Sequence, residues 1–316
     1  MKIVQATAPG KVILFGEHAV VYRRPAIAVP VTDVQARATL QPAEAGSGFR
    51  IIAFDLDQDY LLVQAQPDDP LATIVQNTLQ YLGQITLPDA TLKITSTIPL
   101  GRGLGSGAAV STAIVRALAE FLSQPLPTAE ISTLVYEIEK LHHGTPSGID
   151  NTVVTFEQPV YFIKGEPQPI IRRMRVAQSF TLVIGDTGIV SPTHKAVGDV
   201  RRRWQADTER YEGYFDEIAV IADQARVVIE TGSLGIETLG KLMNENQELL
   251  ETLGVSSPEL EQLIEAARQA GAVGAKLSGA GWGGNMIALA PPDVAPTVAQ
   301  ALTEAGAMGV IVTEVR

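Results

Sequence analysis

Between residues 99 and 109 the chain reads P-L-G-R-G-L-G-S-G-A-A. Neither a helix nor a strand tolerates glycine at that density, so the run fixes a break between two elements. Upstream, residues 91–98 (T-L-K-I-T-S-T-I) alternate as a half-buried strand does. Downstream, Val110, Ala113, Ile114, Ala117, Leu118 and Phe121 recur at helical spacing, with Ser111, Thr112, Arg116 and Glu120 opposite. A glycine turn feeding a helix offers unpaired backbone N–H groups and a positive helix end, and both favour an anion. Phosphate is the first candidate. Tight helix–sheet packing is the alternative use of such glycines.

The spelling narrows the choice. No G-x-x-x-x-G-K-[ST] occurs in or near the run, which excludes a Walker loop. Gly103, Gly105 and Ala108 do satisfy the dinucleotide fingerprint G-x-G-x-x-A. That fingerprint belongs in the first strand–helix unit, with an acidic residue ending the next strand. Here several strand candidates precede the run, Pro99 interrupts the strand-to-glycine junction, and Glu120 falls inside the helical pattern. A second glycine-rich segment, K-L-S-G-A-G-W-G-G-N at residues 276–285, lies between two strand candidates. It fits either a close approach to a ligand or a bulged hairpin.

Composition bounds the function classes. At 316 residues two domains are expected, and their boundary is placed at 176/177, giving 1–176 and 177–316. The formal net charge of −11, from 24 basic and 35 acidic residues, argues against nucleic acid or an anionic membrane as partner. Without cysteine there are no disulfides, thiolate metal sites or cysteine nucleophiles. Four histidines, two of them the adjacent His142 and His143, make a poor zinc site. The N-terminus lacks a signal-like apolar core, and no run reaches the roughly 18 apolar residues of a membrane span, so a cytoplasmic location is expected.

Periodicity predicts strands at residues 2–8, 12–15, 19–21, 26–29, 34–40 and 50–54, then a helix at 71–82. Thr128 caps a helix bearing Ile131, Leu134, Val135, Ile138 and Leu141, which stops at Gly144. A Pro146-Ser147-Gly148 turn leads to Asp150, and residues 153–156 and 160–163 read as a hairpin. The pattern loosens at residues 167–178, around Arg172, Arg173 and Arg175. Strand 180–186, helices from 193 to 270, strands 273–278 and 286–290, helix 293–305 and strand 309–315 follow. That order describes an α+β half with a ferredoxin-like sheet.

Three segments then carry a resemblance. Residues 9–28 (P-G-K-V-I-L-F-G-E-H-A-V-V-Y-R-R-P-A-I-A), the run 99–109 and the run 276–285 resemble, in order, the motifs of the GHMP kinases. Within that superfamily, residues 9–28, 143–151 (H-G-T-P-S-G-I-D-N) and 186–200 are most similar to the mevalonate kinase branch. The resemblance implies a ribosomal-S5-like N-terminal domain, a ferredoxin-like C-terminal domain, and ATP-dependent phosphorylation of mevalonate for isoprenoid synthesis. Mg²⁺ and a homodimer come with it as family expectations. Relatives acting at another position or substrate (a 3-kinase, a phosphomevalonate kinase, a sugar kinase) are the enzymatic alternatives. A catalytically silent ATP and metabolite sensor is the non-enzymatic one.

Residue by residue, the resemblance assigns ATP to Pro99, Gly101, Gly103, Leu104, Gly105, Ser106, Gly107, Ala108 and Ala109. It assigns the metal to Ser106 and Glu139, and catalysis to Asp150 as base with Lys11 as its cationic partner. Substrate falls to Lys11, Glu17, His18, Asp150, Thr193, Gly279 and Ala280. A carboxylate that takes the acceptor proton and a cation near the γ-phosphate are what phosphoryl transfer requires. Four positions depart from the branch pattern: Gly107 replaces a serine, Ser278 a threonine, Trp282 a glycine and Asn285 a cysteine. An indole beside a phosphate loop is expected to narrow the pocket or shift the acceptor.

Overall fold

A computed structural model describes residues 2–143, 147–165, 169–190, 193–233 and 235–316, with backbone alone at 141–143. The first element, β1 (Val4–Phe15), is a single strand running through Pro9-Gly10-Lys11, and β2 (Pro25–Pro42) is longer still. Next come β3 (Phe49–Ala53), β4 (Gln58–Leu61), α1 (Pro70–Tyr81) and β5 (Ala90–Ser96). The glycine run leads into α2 (Ser106–Phe121), followed by α3 (Thr128–His143), α4 (Ile149–Phe156), β6 (Val160–Ile163) and β7 (Ile170–Arg173). The rest is β8 (Phe180–Asp186), α5 (Thr193–Ala206), α6 (Thr208–Thr231), α7 (Gly235–Thr252), α8 (Pro258–Gln269), β9 (Gly274–Ser278), β10 (Asn285–Ala290), α9 (Ala295–Glu304) and β11 (Gly309–Val315).

Local chemistry explains several boundaries. Asp69 caps α1 by accepting from the Ala72 N–H at 2.9 Å, and Pro70 opens that helix where its missing donor costs nothing. Ser257 and Pro258 start α8 in the same manner. Among the described residues no helix is long and apolar enough to cross a membrane.

The chain forms two compact units and passes between them more than once. The first comprises Met1–Gly10, Val34–Pro99 and Gly105–Glu157; the second comprises Lys11–Asp33, Leu100–Leu104 and Gln158–Arg316. In the first, β4 pairs antiparallel with β3, β3 parallel with β5, and β5 antiparallel with residues 36–42 of β2. Helices α1 to α4 pack on one another, and α2, rich in alanine, is buried along most of its length.

In the second unit, residues 25–28 of β2 pair with β6, and β6 with β7. The remaining strands form an antiparallel sheet in the order β11–β8–β10–β9. Numbered within that half, the order is fourth, first, third, second, which is the expected ferredoxin-like sheet. Its two central strands are almost wholly buried, which is why they read as unbroken apolar runs. Phe215, Leu250, Leu263, Ile264, Val298 and Leu302 belong to the core over these strands.

Two strand expectations are corrected. Residues 19–21 lie in a 3-10 turn (Ala19–Tyr22), and residues 153–156 belong to α4, so there is no hairpin with β6. In both, a short apolar run is buried on all sides, and periodicity cannot separate strand from helix there. β7 is the converse: all four of its residues are exposed, so it leaves no apolar signature. The predicted stop of α3 at Gly144 and the start of the following turn lie outside the described residues.

The 3-10 turn is held by ring packing and charge. Tyr22 stacks on the buried Phe215 with centroids 4.1 Å apart, and Arg24 reaches Glu212 at 2.5 Å and Asp216 at 2.7 Å on α6. Phe215→Ala is expected to lower unfolding stability by about 3–5 kcal/mol, read as the denaturant midpoint. An unchanged midpoint would remove Phe215 from the core.

Candidate functional site

In the first unit the elements converge on the start of α2. Gly105, in the left-handed region at φ 71°, precedes Ser106, and the N–H groups of the first helical turn follow. Glu139 on α3 is buried, and a Cβ added at Gly107 would lie 3.4 Å from its Oε1. The Glu139 carboxylate therefore lies against the first turn of α2. Asp150 sits in the first turn of α4, preceded by Gly148 at φ 89°.

Hydrogen bonds fix these helices relative to one another. Asn151, next to Asp150, donates from Nδ2 to the Ser132 carbonyl at 3.1 Å and to Ser132 Oγ at 2.9 Å. Ser132 lies on α3 two turns before Glu139, so one amide ties the helix of Asp150 to the helix of Glu139. Thr112 and Thr155 meet at 3.2 Å, and Arg116 donates to the Thr155 and Thr7 carbonyls at 2.7 Å each. Thus α2, α3 and α4 carry their polar residues on a cross-linked frame.

In the second unit, residues 11–18 meet the last glycine segment. Ser278 Oγ donates to the Ile13 carbonyl at 2.9 Å and accepts from the Ile13 N–H at 3.2 Å. Lys276 Nζ donates to Glu17 Oε1, with both side chains fully buried, and also to the Leu277 carbonyl. Burial pushes the Glu17 carboxyl up and the Lys276 ammonium down, and each partner's charge opposes the other's shift. Lys276 was not among the predicted site residues. A charged residue inside an otherwise apolar strand was the signal that pointed to it.

His18 follows Glu17 with backbone at φ 59°, ψ −49°, an uncommon conformation for a non-glycine residue. Its Nε2 lies 3.0 Å from the Ala280 carbonyl. That oxygen can only accept, so Nε2 carries the proton and Nδ1 is left as an acceptor. Nδ1 is buried and has no partner among the described residues.

The Lys11 N–H donates to the Leu104 carbonyl at 2.9 Å, joining the first motif to the glycine run before α2. Lys11 itself is buried. Thr193 opens α5 with an exposed side chain, and Gly279 and Ala280 follow β9. Among the described residues no three His, Cys, Asp or Glu side chains form a metal cluster.

Trp282 is held by backbone carbonyls of the α7–α8 connection. It has φ 57°, its backbone N–H donates to the Val255 carbonyl at 2.7 Å, and its Nε1 donates to the Gly254 carbonyl at 2.9 Å. A Cβ at Gly281 would come within 1.9 Å of the Val255 oxygen, so that glycine is obligatory. The indole is an anchor that seats the glycine segment on the α7–α8 connection.

Family models, relatives and solved structures resemble this chain. Residues 71–158 match the model described as the GHMP kinases N terminal domain, and residues 233–307 the GHMP kinases C terminal. A mevalonate kinase of Pyrococcus horikoshii is 36% identical over 92% of this chain and 90% of its own. One from Thermococcus sibiricus is 35% identical over 98% of this chain and 95% of its own. The solved mevalonate kinase of L. major in complex with R-mevalonate superposes with a TM-score of 0.84 at 30% identity, covering 99% of this chain and 96% of its own. Streptococcus pneumoniae phosphomevalonate kinase, with phosphomevalonate and AMPPNP, shares the fold at a TM-score of 0.79 and 18% identity, over 98% of this chain and 99% of its own.

Burial holds the His18 imidazole down at about 4 from 6.5, with the Ala280 hydrogen bond acting the other way. The unfolded imidazole therefore binds a proton first as pH falls. His18 costs no stability above pH 6.5, and its penalty grows as pH drops towards 4. The full loss is about 3 kcal/mol. Urea midpoints of wild type and His18→Gln should diverge through this window; parallel pH profiles would overturn the assignment.

Proposed function

The chain belongs to the GHMP kinase family, and on that premise we propose that it transfers the γ-phosphoryl group of ATP to the 5-hydroxyl of mevalonate. It is an ATP-dependent small-molecule kinase, and mevalonate is the acceptor. The observation that carries the acceptor is similarity to mevalonate kinases across 92% of this chain and 90% of the relative.

In this reading Asp150 takes the proton of the acceptor hydroxyl as the oxygen forms its bond to the γ-phosphorus and the bond to the ADP oxygen breaks. Lys11 offsets the negative charge that develops on the transferring group. The N–H groups of residues 101–109 hold the triphosphate. Supporting the acceptor end, His18 presents a neutral imidazole whose Nδ1 can accept from a substrate hydroxyl. Glu17 acts at one remove, since its carboxylate is committed to Lys276. Gly279 and Ala280 line the same end through backbone, and Thr193 supplies a hydroxyl.

Mg²⁺ fits the donors at the start of α2. The carboxylate of Glu139 and the hydroxyl of Ser106 are hard oxygen ligands, and this ion needs only one or two from protein. Bound with the nucleotide, it would neutralise phosphate charge. Gly107 leaves open the place of a second hydroxyl. Gly107→Ser should lower the Mg²⁺ concentration that half-saturates nucleotide binding by roughly twofold to fivefold, and Ser106→Ala should raise it comparably. Calorimetry with an ATP analogue reads both, and no change in either would remove Ser106 and this helix turn from the metal site.

ADP release measured across mevalonate, phosphomevalonate, homoserine and galactose tests the acceptor, and locating the phosphate on the product tests the position. No turnover of mevalonate would sink the reading, and a 3-phosphate product would reassign it. Asp150→Asn should lose at least about a hundredfold in kcat while still binding ATP. Turnover near that of wild type would remove Asp150 as the base.

A further inference from the structure

The segment 100–104 is the part of the phosphate loop that packing does least to shape. Gly101 and Gly103 have φ of 68° and 76°, and a Cβ at either would meet nothing within 4 Å. Leu104 alone is buried there. A chain this permissive samples many conformations unless something else holds it, and ordering it at the moment of ligand binding would cost affinity.

Besides the Lys11 N–H bond to the Leu104 carbonyl, what holds it is Arg102, gripped twice. Its Nε lies 3.3 Å from Asp186 Oδ2, and its backbone carbonyl accepts from Asn285 Nδ2 at 2.5 Å. Asp186 ends β8, Asn285 begins β10, and the two are direct partners in the antiparallel register. One cross-strand pair thus takes the side chain of Arg102 with one member and its backbone with the other. The pair is itself braced: Asp186 Oδ1 accepts from the Gly188 N–H at 2.8 Å, and Thr187 donates from both N and Oγ1 to the Gly284 carbonyl, at 2.9 and 2.8 Å. The guanidinium is only partly exposed, and its Nη1 is buried with no partner among the described residues.

We propose that Asp186 and Asn285 are positioning residues for the nucleotide, clamping the phosphate loop in its binding shape through Arg102. The proposal rests on the ATP-dependent kinase reading above. It gives Asn285 a purpose: an amide N–H donates strongly to a carbonyl, which the thiol common at that position does only weakly. It also separates two routes. Asp186 acts through the Arg102 side chain, whereas Asn285 acts through the carbonyl, which any residue at position 102 retains.

That separation makes the test. Asn285→Ala and Asp186→Asn should each raise KM for ATP, and Kd for a non-hydrolysable ATP analogue, by roughly threefold to tenfold. KM for mevalonate should stay within about twofold, because the acceptor end is untouched. In an Arg102→Ala background the Asp186→Asn effect should vanish while the Asn285→Ala effect persists. Amide hydrogen exchange across residues 100–104 should quicken in Asn285→Ala with protection of β8 and β10 retained. If Asn285→Ala fails to fold, Asn285→Asp has the same volume and cannot donate, and should give the same pattern. Unchanged nucleotide affinity, an equal rise in both KM values, or additive effects of Asp186→Asn and Arg102→Ala would each overturn the clamp. Wild-type protein that turns over no mevalonate would instead defeat the kinase reading, which the hydrogen exchange does not depend on.

Discussion

The ion pair between Glu17 and Lys276 is the interaction on which the seating of β9 against the turn after β1 depends. The two residues are 259 positions apart and neither side chain is exposed. Taking both charges out of water costs several kcal/mol per ion, and their attraction roughly repays it, so the pair adds little net stability. Its contribution is positional. It fixes the middle of β9 against the turn that follows β1, and the Ser278 bonds to Ile13 and the His18 bond to Ala280 reinforce the same contact. With the turn and the glycine segment locked together, His18 can hold its uncommon backbone conformation and present one defined ring nitrogen.

A similar economy governs the first unit. The polar groups proposed for catalysis and metal binding sit in or near first helical turns, where sequence alone gives no angle between one helix and the next. Asn151 and Ser132, Thr112 and Thr155, and Arg116 with two carbonyls supply those angles. Each is a buried or half-buried polar contact that would be costly to leave unmade, so the frame has one arrangement in which all are satisfied.

The glycine runs, the strand preceding α2, the helices at 71–82 and after 128, and the ferredoxin-like order were legible because each depends on local periodicity or local turn chemistry. The motifs carried the family for the same reason: phosphate binding by backbone requires glycine at fixed spacing. What was not legible depended on partners distant in sequence. Residues 19–21 and 153–156 are apolar whichever element they form, and their surroundings decided it. The resemblance assigns Glu17 to substrate, and its buried pairing with Lys276, 259 positions away, has no local signature. Trp282 reads as an obstruction until its N–H groups are seen on Gly254 and Val255.

The departures at Gly107, Trp282 and Asn285 bear on one physical theme. A loop that binds phosphate through its own N–H groups cannot spend them on internal structure, and its glycines give it no side-chain packing. Its shape must therefore come from carbonyls and from tethers reaching in from elsewhere. Asn285 takes the Arg102 carbonyl, Lys11 takes the Leu104 carbonyl, and Trp282 seats its segment on two carbonyls of the α7–α8 connection. The first two tethers take carbonyls rather than N–H groups of residues 100–104, whereas Trp282 commits its own backbone N–H. Gly107 follows the same logic by omission: with no side chain there, the helix N–H groups and the Glu139 carboxylate share an uncrowded first turn. A donor aimed at a carbonyl, as at Asn285, thus shapes a glycine-rich segment without spending that segment's own N–H groups.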